Sequence, residues 1–425
     1  MRQIIDLHIH SKYARATSKF FDLAEMVKWS EIKGVDIISC ADFTHPAWYK
    51  NLNTNLEQVG QSGLYKLKNS DSKVRFIIST EISCIYRQAD KTRRLHLCIL
   101  MPDLEAAGKF NQALEDRGAK LASDGRPILG MSAKEVLQIM LDIDERTMMI
   151  PAHAWTPWFA VFGSKSGFAS LTECFEELTP HIKAIETGLS SDPIMNWRLK
   201  ELDNITLVSN SDAHSGPQIG REANVMDLKN KTYDEIVDII AKKDKQRFLY
   251  TIEFYPAEGM YHVDGHRDCE FFCLPKETEK LKGVCPKCKK PLTIGVLSQV
   301  NKLSNISESK VDKTKHIPYK SIIPLPNIIA DYYGMGRGSQ RVQKLFLDII
   351  SNPSVDGGNE FKVLLDLSET ELKKIMPDVL AEGILKMRQN KIKIIPGFDG
   401  QYGKVEIFSK AEKEEAKNNK QGELF

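Results

Sequence analysis

From residue 1 to about residue 250, short apolar runs rich in Val and Ile alternate with stretches of helical periodicity. Short apolar runs bounded by turn residues predict buried strands, and apolar residues recurring every three to four positions predict amphipathic helices. This alternation favours parallel strands in an α/β fold, and seven strands suit a barrel better than a small open sheet. The seven candidate strands are QIIDLHIH, VDIISCA, VRFIIST, RLHLCILM, TMMIPAHA, IKAIETG and ITLVSNSDAH.

The segments between these strands carry helix signals. In DLAEMVKWSEIKG, Asp22 is placed to cap the first turn and Gly34 to end the helix, and SAKEVLQIMLDID is a second candidate. Beyond residue 254 the pattern changes to a short cysteine-bearing module, a polar linker and a mostly helical domain. The predicted units are a barrel over 1–254, a module over 255–300, a linker over 301–320, a helical DNA-binding domain over 321–408 and a disordered tail over 409–425.

The chain of 425 residues is 42% hydrophobic and 27% charged, which are globular proportions and exclude a wholly disordered protein. No apolar run approaches the ~20 residues that a membrane-spanning helix needs, and no signal-peptide segment begins the chain. We therefore expect a soluble, cytoplasmic protein without a membrane partner. The net charge of +2 hides a basic region, because Cys273–Leu345 holds 14 Lys and Arg against 5 Asp and Glu. This region is basic enough to meet a polyanion.

Histidines and carboxylates gather at the ends of the candidate strands. Side chains alternate between the two faces of a strand, so DLHIH places Asp6, His8 and His10 on one face. NSDAH repeats the arrangement with Asp212 and His214. In a barrel of parallel strands, such ends form the rim on which active sites are built. The other candidates at strand ends are Asp42, His45, Glu81, His96, His153 and Glu186.

A lone histidine at a strand end is more often a hydrogen-bonded structural residue, but the joint occurrence of so many favours metal binding. Neutral imidazoles with carboxylates suit Zn²⁺, Mn²⁺ or iron, and carboxylates shared with water suit Mg²⁺. The candidate ligands are too many for one ion, so two or three divalent ions are expected. Such a cluster activates water and stabilises both oxygens of a phosphoryl displacement. No Ser-His-Asp pattern or phosphate-binding P-loop competes with this interpretation.

The segments DLHIH, ADFTH, TEIS, HLCIL, PAHAW and NSDAH, in this order, resemble the polymerase-and-histidinol-phosphatase (PHP) family of metal phosphoesterases. The resemblance implies a distorted (βα)7 barrel with a trinuclear metal centre, in which the residues around the first metal are catalytic. The implied ligands are His8, His10, Glu81 and Asp212 around one metal, Glu81, His96 and His153 on a second, and His214 on a third.

The sequence departs from the family pattern at the third metal. The family's Thr-Asp-His after the second strand reads Ala41–Phe43 here, and another third-site histidine, expected soon after His10, is missing. His45 is therefore a candidate replacement ligand, while Asp42 and Glu186 are expected to support the ligands from behind.

Four cysteines form two close pairs, Cys269 with Cys273 and Cys285 with Cys288. Four thiolates from two short turns are typical of a structural Zn²⁺ site, although the first spacing is unusual. A redox Cys-x-x-Cys pair would need a thioredoxin-like setting, which the pattern does not predict. The nearby alternative ligands are His262 and His266.

The basic region overlaps this module and leads to a glycine-rich loop, YYGMGRGS, at residues 332–339. Glycines permit close approach of the backbone, and free N–H groups with arginines bind phosphate. A lysine-rich run is usually a solvated face, and a glycine-rich loop alone is a weak signal, but together they favour DNA-backbone binding. The candidate DNA-binding residues are Gly334, Gly336, Arg337, Gly338, Ser339, Arg341, Lys287, Lys289 and Lys290.

The segment that follows His153 is rich in aromatic residues. Exposed aromatic side chains at this position could stack a base or wedge a duplex, whereas buried ones would only pack in the core. We expect a mixture of these two roles. The candidates are Trp155, Trp158, Phe159 and Phe162.

Nearly the whole chain resembles one PHP subgroup, the endonuclease Q family of DNA-repair nucleases. The barrel motifs, the four-cysteine module, the GMGRGSQRV loop and the IPGFDGQYGKV segment carry the resemblance. It implies cleavage 5′ to deaminated bases (uracil, hypoxanthine, xanthine) and abasic sites in DNA, leaving 3′-hydroxyl and 5′-phosphate ends. A monomer is the expected assembly. The tail resembles a truncated sliding-clamp (PCNA) binding box, formed by Gln421, Leu424 and Phe425.

Three other functions remain open. A small-molecule phosphatase of the same barrel type would explain the metals but leave the module, the basic region and the C-terminal domain without a role. A 3′–5′ exonuclease would use the same metals, and a non-catalytic DNA-binding or clamp-associated scaffold would require a vestigial ligand set. A chelator-sensitive cut beside a lesion separates the endonuclease from all three.

Overall fold

Each of the seven segments predicted as strands contains all or part of one in the computed structural model, which describes residues 1–354 and 358–414. The strands are β1 (Arg2–Asp6), β2 (Ile37–Ser39), β3 (Leu56–Gln58), β4 (Leu64–Leu67), β5 (Arg75–Gln88), β6 (Lys91–Met101), β7 (Ile128–Leu129), β8 (Met148–Pro151), β9 (Ala184–Glu186), β10 (Thr206–Val208), β11 (Ala223–Asp227), β12 (Phe248–Glu253), β13 (Asp264–His266), β14 (Phe271–Cys273), β15 (Tyr319–Ser321), β16 (Lys393–Ile395) and β17 (Lys404–Glu406). The α-helices are α1 (Leu23–Lys33), α2 (Pro46–Asn55), α3 (Leu104–Glu115), α4 (Ala133–Ile143), α5 (Leu171–Phe175), α6 (Pro193–Asn196), α7 (Tyr233–Ala241), α8 (Pro275–Lys280), α9 (Val296–Leu303), α10 (Leu325–Tyr333), α11 (Gln340–Ile350), α12 (Glu369–Ile375) and α13 (Asp378–Arg388).

The main sheet has the strand order β15-β12-β11-β1-β2-β5-β4-β3, with β6 and β7 also on β5 and β8 on β6. Pairing is parallel from β1 to β2 and from β2 to β5, but antiparallel for β5–β6, β6–β8 and β1–β11. A two-residue turn at Ala89 and Asp90 joins β5 directly to β6, so no helix crosses between them. The α/β prediction is confirmed as a mixed α/β fold, while the expectation of all-parallel strands is wrong.

Strands β9 and β10 form a separate parallel pair whose ends meet the main sheet. The N–H of Ala154, just beyond β8, donates to the Glu186 carbonyl of β9 at 3.0 Å. The N–H of Asp212, beyond β10, donates to the His8 carbonyl beyond β1 at 2.9 Å. These bonds bring the carboxyl ends of β1, β8, β9 and β10 together. The seven-stranded (βα)7 barrel itself stays a prediction.

Local capping fixes α1 where the sequence predicts it. The Asp22 side chain accepts a hydrogen bond from the Glu25 N–H at 3.2 Å, and so satisfies one free N–H of the first turn. Gly34 ends the helix with a φ of 86°, a left-handed conformation that costs glycine little. The helix therefore packs against the sheet with the length that its sequence predicts.

The C-terminal half packs onto the α/β region. Its α10–α13 helices share one buried apolar cluster with the sheet, and β15 pairs in parallel with β12. The predicted linker, 301–320, therefore runs into an edge strand. Residues 410–414, predicted as disordered tail, are helical, and Lys413 forms an ion pair with Asp331 at 2.5 Å. Every helix among the described residues is too short or too polar to cross a membrane.

Candidate metal centre

His8 and His10 lie just beyond the end of β1, one strand repeat apart. Their rings are therefore on the same side of the chain, with centroids 5.4 Å apart. The pairing of β1 with β2 places His10 beside Asp42, which follows β2 in the chain. Both rings are buried, so their polar atoms must find partners inside the protein.

Glu81, in the middle of β5, faces two groups of histidines at once. Its Oε2 lies 3.2 Å from His10 Nε2 and 3.6 Å from His8 Nε2. Its Oε1 lies 3.0 Å from His96 Nδ1 and 3.2 Å from His153 Nε2. A carboxylate in this position can bridge two metal ions, as the sequence resemblance implies.

Asp212 and His214, beyond β10, complete the cluster. Asp212 Oδ1 lies 3.1 Å from His10 Nε2, and His214 Nδ1 lies 3.6 Å from the same oxygen. Around this cluster, side chains whose candidate ligand atoms lie within 4.8 Å of one another form four groups. These are His8, His10 and Glu81, then His10, Asp212 and His214, then Glu81, His96 and His153, and finally His8, Cys98 and Glu186.

The donor set fits divalent metal ions. His8 Nε2, His10 Nε2 and Asp212 Oδ1 are buried and face one another, yet none has a hydrogen-bond partner of acceptable geometry. Leaving buried polar atoms without partners is costly, and native proteins rarely do so without a functional reason. Imidazole nitrogens and carboxylate oxygens that converge on a shared point are ligands of Zn²⁺, Mn²⁺ or Fe²⁺.

Carboxylates behind the imidazoles orient these free nitrogens. The Nδ1 of His10 lies 3.1 Å from Asp42 Oδ1, and the Nδ1 of His8 lies 3.1 Å from Glu186 Oε1. Each ring therefore uses Nδ1 for the carboxylate and turns Nε2 inward, as metal-bound histidines commonly do. The Ser11 N–H in turn donates to Asp42 Oδ2 at 2.5 Å, which fixes that carboxylate.

Strained backbone accompanies the cluster. Ala41, Asp42, His153 and Asp212 have φ values of 61°, 35°, 29° and 47°, a region that residues with a side chain rarely occupy. Such strain collects at functional sites and persists only where surrounding contacts hold it. Three of these four residues carry side chains of the cluster, so the strain is concentrated where ligand direction matters.

Two arginines at the site escaped the sequence analysis. Arg126 Nη1 lies 2.8 Å from Glu81 Oε2, and Arg221 donates through Nε to the Ser211 carbonyl at 2.7 Å, beside Asp212. Both come from loops, distant from any strand-end motif in the pattern. Their only sequence signal is a basic residue in a turn, which is far too common to be diagnostic.

The electrostatics of Glu81 and His96 favour the forms that bind metal. Burial raises the pKa of the Glu81 carboxyl, but His96, Arg126 and His8 together bring this pKa well below its ordinary value. Burial lowers the pKa of His96 to about 4, although Glu81 opposes this shift. A low pKa of Glu81 favours its carboxylate and a low pKa of His96 favours the neutral imidazole, which are the forms that bind metal.

His45 is not part of any of these four groups. It occupies the N-cap position of α2 without a side-chain capping bond, and its ring stacks on Tyr13 with centroids 4.3 Å apart. The structure therefore does not bring the proposed replacement ligand to the metal cluster. The candidate ligands of a third ion are His214 with His10 and Asp212.

The cysteine module forms a second, separate group of ligands. His266, Cys269, Cys285 and Cys288 have ligand atoms within 4.8 Å of one another. Cys273, predicted as the fourth ligand, lies outside this group, with its sulfur 3.2 Å from Thr278 Oγ1. The hairpin explains the difference, since β13 and β14 pair His266 with Phe271 and place Cys273 two residues further along, in a small apolar cluster.

The glycine-rich loop lies over a cavity beside the metal centre. This cavity of about 690 Å³ is lined by Arg221 and Ser215 from the side of the candidate metal centre and by Arg337, Gly338 and Tyr402 from the C-terminal half, among others. Its two arginines make it suitable for an anionic ligand. The predicted loop residues Gly334 and Gly336 border open space, Ser339 occupies the N-cap position of α11 without a side-chain capping bond, and the guanidinium of Arg341 lies 4.3 Å from the Tyr333 ring centroid.

The aromatic segment divides as the sequence analysis expected. Trp155 and Phe162 are fully buried against each other, and Trp155 Nε1 donates to Asn196 at 2.7 Å. Trp158 is 40% exposed, and Phe159 lies with its ring centroid 4.6 Å from that of His96. Only the last two are therefore placed to meet a ligand of the metal centre.

The remaining candidates for nucleic-acid and protein contacts lie on the surface or beyond the described residues. Lys289 and Lys290 are exposed, whereas Lys287 donates to the Cys269 carbonyl at 2.7 Å and so supports the cysteine module. The proposed clamp-binding residues, Gln421, Leu424 and Phe425, lie outside the described residues.

Fold and site together define a mixed α/β protein that carries the donor set of a polynuclear divalent-metal centre. Its structure matches that of the lesion-specific endonuclease PfuEndoQ from Pyrococcus furiosus over 96% of this chain and 95% of the other, with a TM-score of 0.83 and 27% identity. It also matches endonuclease Q in complex with a 27-mer duplex substrate that has an abasic lesion at the active site. That match has a TM-score of 0.82 and 27% identity, and covers 97% and 98% of the two chains. The resemblance to endonuclease Q is therefore confirmed over nearly the whole chain.

Sequence relatives span two domains of life. The chain is 33% identical over 261 residues to the uncharacterized protein MJ0043 of Methanocaldococcus jannaschii, a match that covers 60% of this chain but only 31% of that protein. The chain thus spans about a third of that relative's length. It is 27% identical over 416 residues to the uncharacterized protein YqxK of Bacillus subtilis (strain 168), covering 94% and 98% of the two chains. No protein-family model matches the chain.

Proposed function

We propose that the protein is a metal-dependent DNA endonuclease that cuts the strand 5′ to deaminated bases (uracil, hypoxanthine or xanthine) and abasic sites. One observation carries the proposal. The unpartnered ligand atoms of His8, His10 and Asp212 converge beside Glu81, on a fold shared with endonuclease Q along nearly its full length. The products would be a 3′-hydroxyl and a 5′-phosphate.

The residues of the cluster have different roles in this proposal, as metal ligands or as groups that orient the ligands. Bound divalent ions supply activated water and charge stabilisation for hydrolysis of a phosphodiester. Asp42 and Glu186 hold two imidazole rings with Nε2 inward, and Arg126 keeps Glu81 ionised. The ligands we assign are His8, His10, Glu81 and Asp212 to the first ion, Glu81, His96 and His153 to the second, and His214 to the third.

The DNA would lie across the face that joins the metal centre to the glycine-rich loop. Arg221 and Arg337 meet in one cavity there, where their donors suit phosphate oxygens. Phe159 lies against His96, and its neighbour Trp158 is 40% exposed, so an aromatic face there can stack an unpaired base. A structural Zn²⁺ in the cysteine module would hold the short β13–β14 hairpin, which buries little apolar surface of its own.

We extend the proposal to a sliding clamp of the PCNA type as a partner of the tail. Gln421, Leu424 and Phe425 keep the spacing of part of a clamp-binding box. Removing residues 417–425 should weaken clamp binding without changing cleavage by the protein alone. Unchanged clamp affinity would remove this part of the proposal.

The central test is cleavage of an end-labelled duplex that carries one deoxyuridine, deoxyinosine or abasic site, beside an undamaged duplex. We expect a single cut immediately 5′ of the lesion, abolished by chelator and restored by added Mn²⁺, Mg²⁺ or Zn²⁺. Asp212→Asn should abolish cleavage but leave DNA binding within about twofold, because it removes a ligand and no phosphate contact. Asp238→Asn is the matched control, since Asp238 is an exposed carboxylate of α7 paired with Lys242.

The alternatives give different results in the same assay. Stepwise shortening from the 3′ end would indicate an exonuclease, and hydrolysis of small phosphate monoesters without an effect on DNA would indicate a phosphatase. Tight binding of the lesion duplex without any metal-dependent cut would indicate a non-catalytic protein. Full cleavage by the Asp212→Asn variant would refute the ligand assignment.

A further inference from the structure

The loop that follows His10, residues 11–21, is held directly against the metal centre. The Lys12 N–H donates to the Phe21 carbonyl at 3.0 Å and closes the loop at its base. Towards the C-terminal end of the loop, the Ser18 N–H donates to the carbonyl of His214, also at 3.0 Å. The loop is therefore a compact structure fixed to a candidate ligand, and we name it the rim loop.

The rim loop is also fixed on its other side. The Tyr13 carbonyl accepts a hydrogen bond from the Gly125 N–H at 3.0 Å. Gly125 precedes Arg126, the residue whose guanidinium pairs with Glu81. The rim loop thus touches the metal centre at two separate places.

The rim loop presents one aromatic side chain to solvent. Phe20 is 83% exposed, whereas its neighbour Phe21 is fully buried. The Phe20 carbonyl accepts a hydrogen bond from the N–H of Asp22, the residue that caps α1, so the position of Phe20 is set by the fold. Phe20 follows Ser18 by two residues, which puts their Cα atoms within about 7 Å of each other.

The rim loop is strongly basic. Lys12, Arg15 and Lys19 lie in it without an acidic residue between them, and none of the three forms an ion pair with the described residues. A single exposed apolar side chain needs no explanation by itself. Three cations around it favour a polyanion over an apolar protein partner, because an apolar contact would bury their charges at a cost.

We propose that the rim loop binds the DNA backbone through Lys12, Arg15 and Lys19 and inserts Phe20 into the base stack beside the scissile phosphate. This inference rests on the proposed function, because it requires DNA at the metal centre. Successive bases of one strand are about 3.4 Å apart, so Phe20, tethered to the His214 backbone through Ser18, is within reach of the first few base steps beside the cleaved bond. Apolar side chains inserted at a base step unstack it and kink the duplex, which would free the damaged nucleotide.

The test compares Phe20→Ala with Phe20→Trp, which keeps a large aromatic wedge. Leu347→Ala is the control, since Leu347 is an exposed apolar residue of α11 outside the rim loop. The probe is a duplex with an abasic site and 2-aminopurine as the adjacent base, bound to each variant in the Asp212→Asn background in chelator. Unstacking of 2-aminopurine raises its fluorescence without any need for cleavage.

We expect the fluorescence rise in the parent protein and in Phe20→Trp but not in Phe20→Ala, while Leu347→Ala behaves as its parent. In the cleavage-competent background, Phe20→Ala should cut the matched lesion duplex about tenfold more slowly or worse. Mismatching the pairs beside the lesion removes the stacking that the wedge must break, so this defect should then fall to about twofold. An unchanged fluorescence rise in Phe20→Ala, or an equal defect on both duplexes, would overturn the inference.

The basic side chains have their own readout. Replacing Lys12, Arg15 and Lys19 by Ala should lower the slope of log affinity against log salt by about two to three, close to ~0.9 for each lost phosphate contact. Lys109→Ala, at an exposed lysine of α3, should leave that slope unchanged. If the protein never cleaves DNA but its fluorescence rise and salt slope depend on the rim loop, the proposed function is refuted and the rim-loop inference stands. If every rim-loop variant cleaves lesion DNA at the parent rate, the rim-loop inference is refuted and the proposed function stands.

Discussion

A buried ion pair joins the α/β region to the C-terminal half. Lys33, in the last turn of α1, places its ammonium 2.5 Å from Glu360 Oε2, and each side chain is only 4% exposed. The other oxygen of Glu360 accepts the Leu325 N–H, the first of α10, at 2.7 Å. Glu360→Gln therefore removes the charge and keeps the acceptor for Leu325.

The expected cost follows from burial. At 2.5 Å and an effective dielectric constant of about 20, the attraction is roughly 6–7 kcal/mol, most of which offsets the loss of hydration of the two charges. Glu360→Gln leaves the Lys33 ammonium buried without its counter-charge, which typically costs about 3–5 kcal/mol. Lys33→Met combined with Glu360→Gln leaves no charge and should cost about 1 kcal/mol. The two changes should therefore couple strongly.

Hydrogen exchange of the α10 amides is the suitable assay, because unfolding of a chain with several domains is not a two-state process. In Glu360→Gln, we expect α10 to exchange about 10²–10³ times faster, at about 1.4 kcal/mol for each factor of ten. The double variant should exchange at nearly the parent rate. Glu369→Gln is the control, because its partner Lys373 is on the surface and such pairs contribute about 0.5 kcal/mol or less.

The function of this contact is testable in the same variants. Leu325 begins α10, and Gly334 ends it directly before the loop that carries Arg337. Loosening α10 should therefore weaken DNA binding and leave metal binding at the candidate metal centre unchanged. Equal exchange rates in the single and double variants would show that the buried charge contributes nothing, and the reasoning would be wrong.

The other predictions concern stability and the second metal site. Burial raises the pKa of Glu253 to about 8, so the unfolded chain releases this proton at a lower pH than the folded one. The contribution of this group to the free energy of unfolding should therefore be fully present below about pH 4.5 and fall by a few kcal/mol towards pH 8. Denaturation curves measured at several pH values should show a smaller fall in Glu253→Gln. Cys273→Ser should retain one Zn²⁺ per chain in metal analysis, whereas His266→Asn should lose it; the opposite result would restore the ligand set predicted from sequence. Trp155→Ala should destabilise the fold by about 3–5 kcal/mol, whereas Trp158→Ala should leave the melting temperature unchanged and weaken DNA binding.

The limits of α1 were predictable because its signals are local. Asp22 and Gly34 act within one turn of the helix they bound, so their effects do not depend on the rest of the fold. The positions of most strands were predictable for a similar reason, since an apolar run reports burial whatever its neighbours are. Strand direction is not local, and there the sequence analysis failed.

The β5–β6 hairpin shows why. Its turn, Ala89-Asp90, has φ values of 48° and 59°, a conformation for which Asn-Gly or Asp-Gly is the usual signal. Without a glycine the turn is hard to recognise, and the alternation elsewhere favoured a crossover. The antiparallel pairing that results sets Glu81 opposite Cys98 and places His96 two residues away, across the strands. The same two ligands were expected at one rim, but from two parallel strands.

The candidate ligands could be selected from the sequence because metal binding demands a particular set of side chains. Histidine and carboxylate at several strand ends is a rare pattern, and the resemblance assigned the set to groups that the structure brings together. Arg126 could not be predicted in this way, because no particular sequence pattern is required for its role. Its guanidinium lies 2.8 Å from the buried Glu81 carboxylate and stabilises that charge, and any loop that passes the rim could supply such a cation. A sequence pattern predicts which residues share a face of a strand. It does not predict which cation stabilises a buried carboxylate, because that depends on how distant loops fold over the carboxylate.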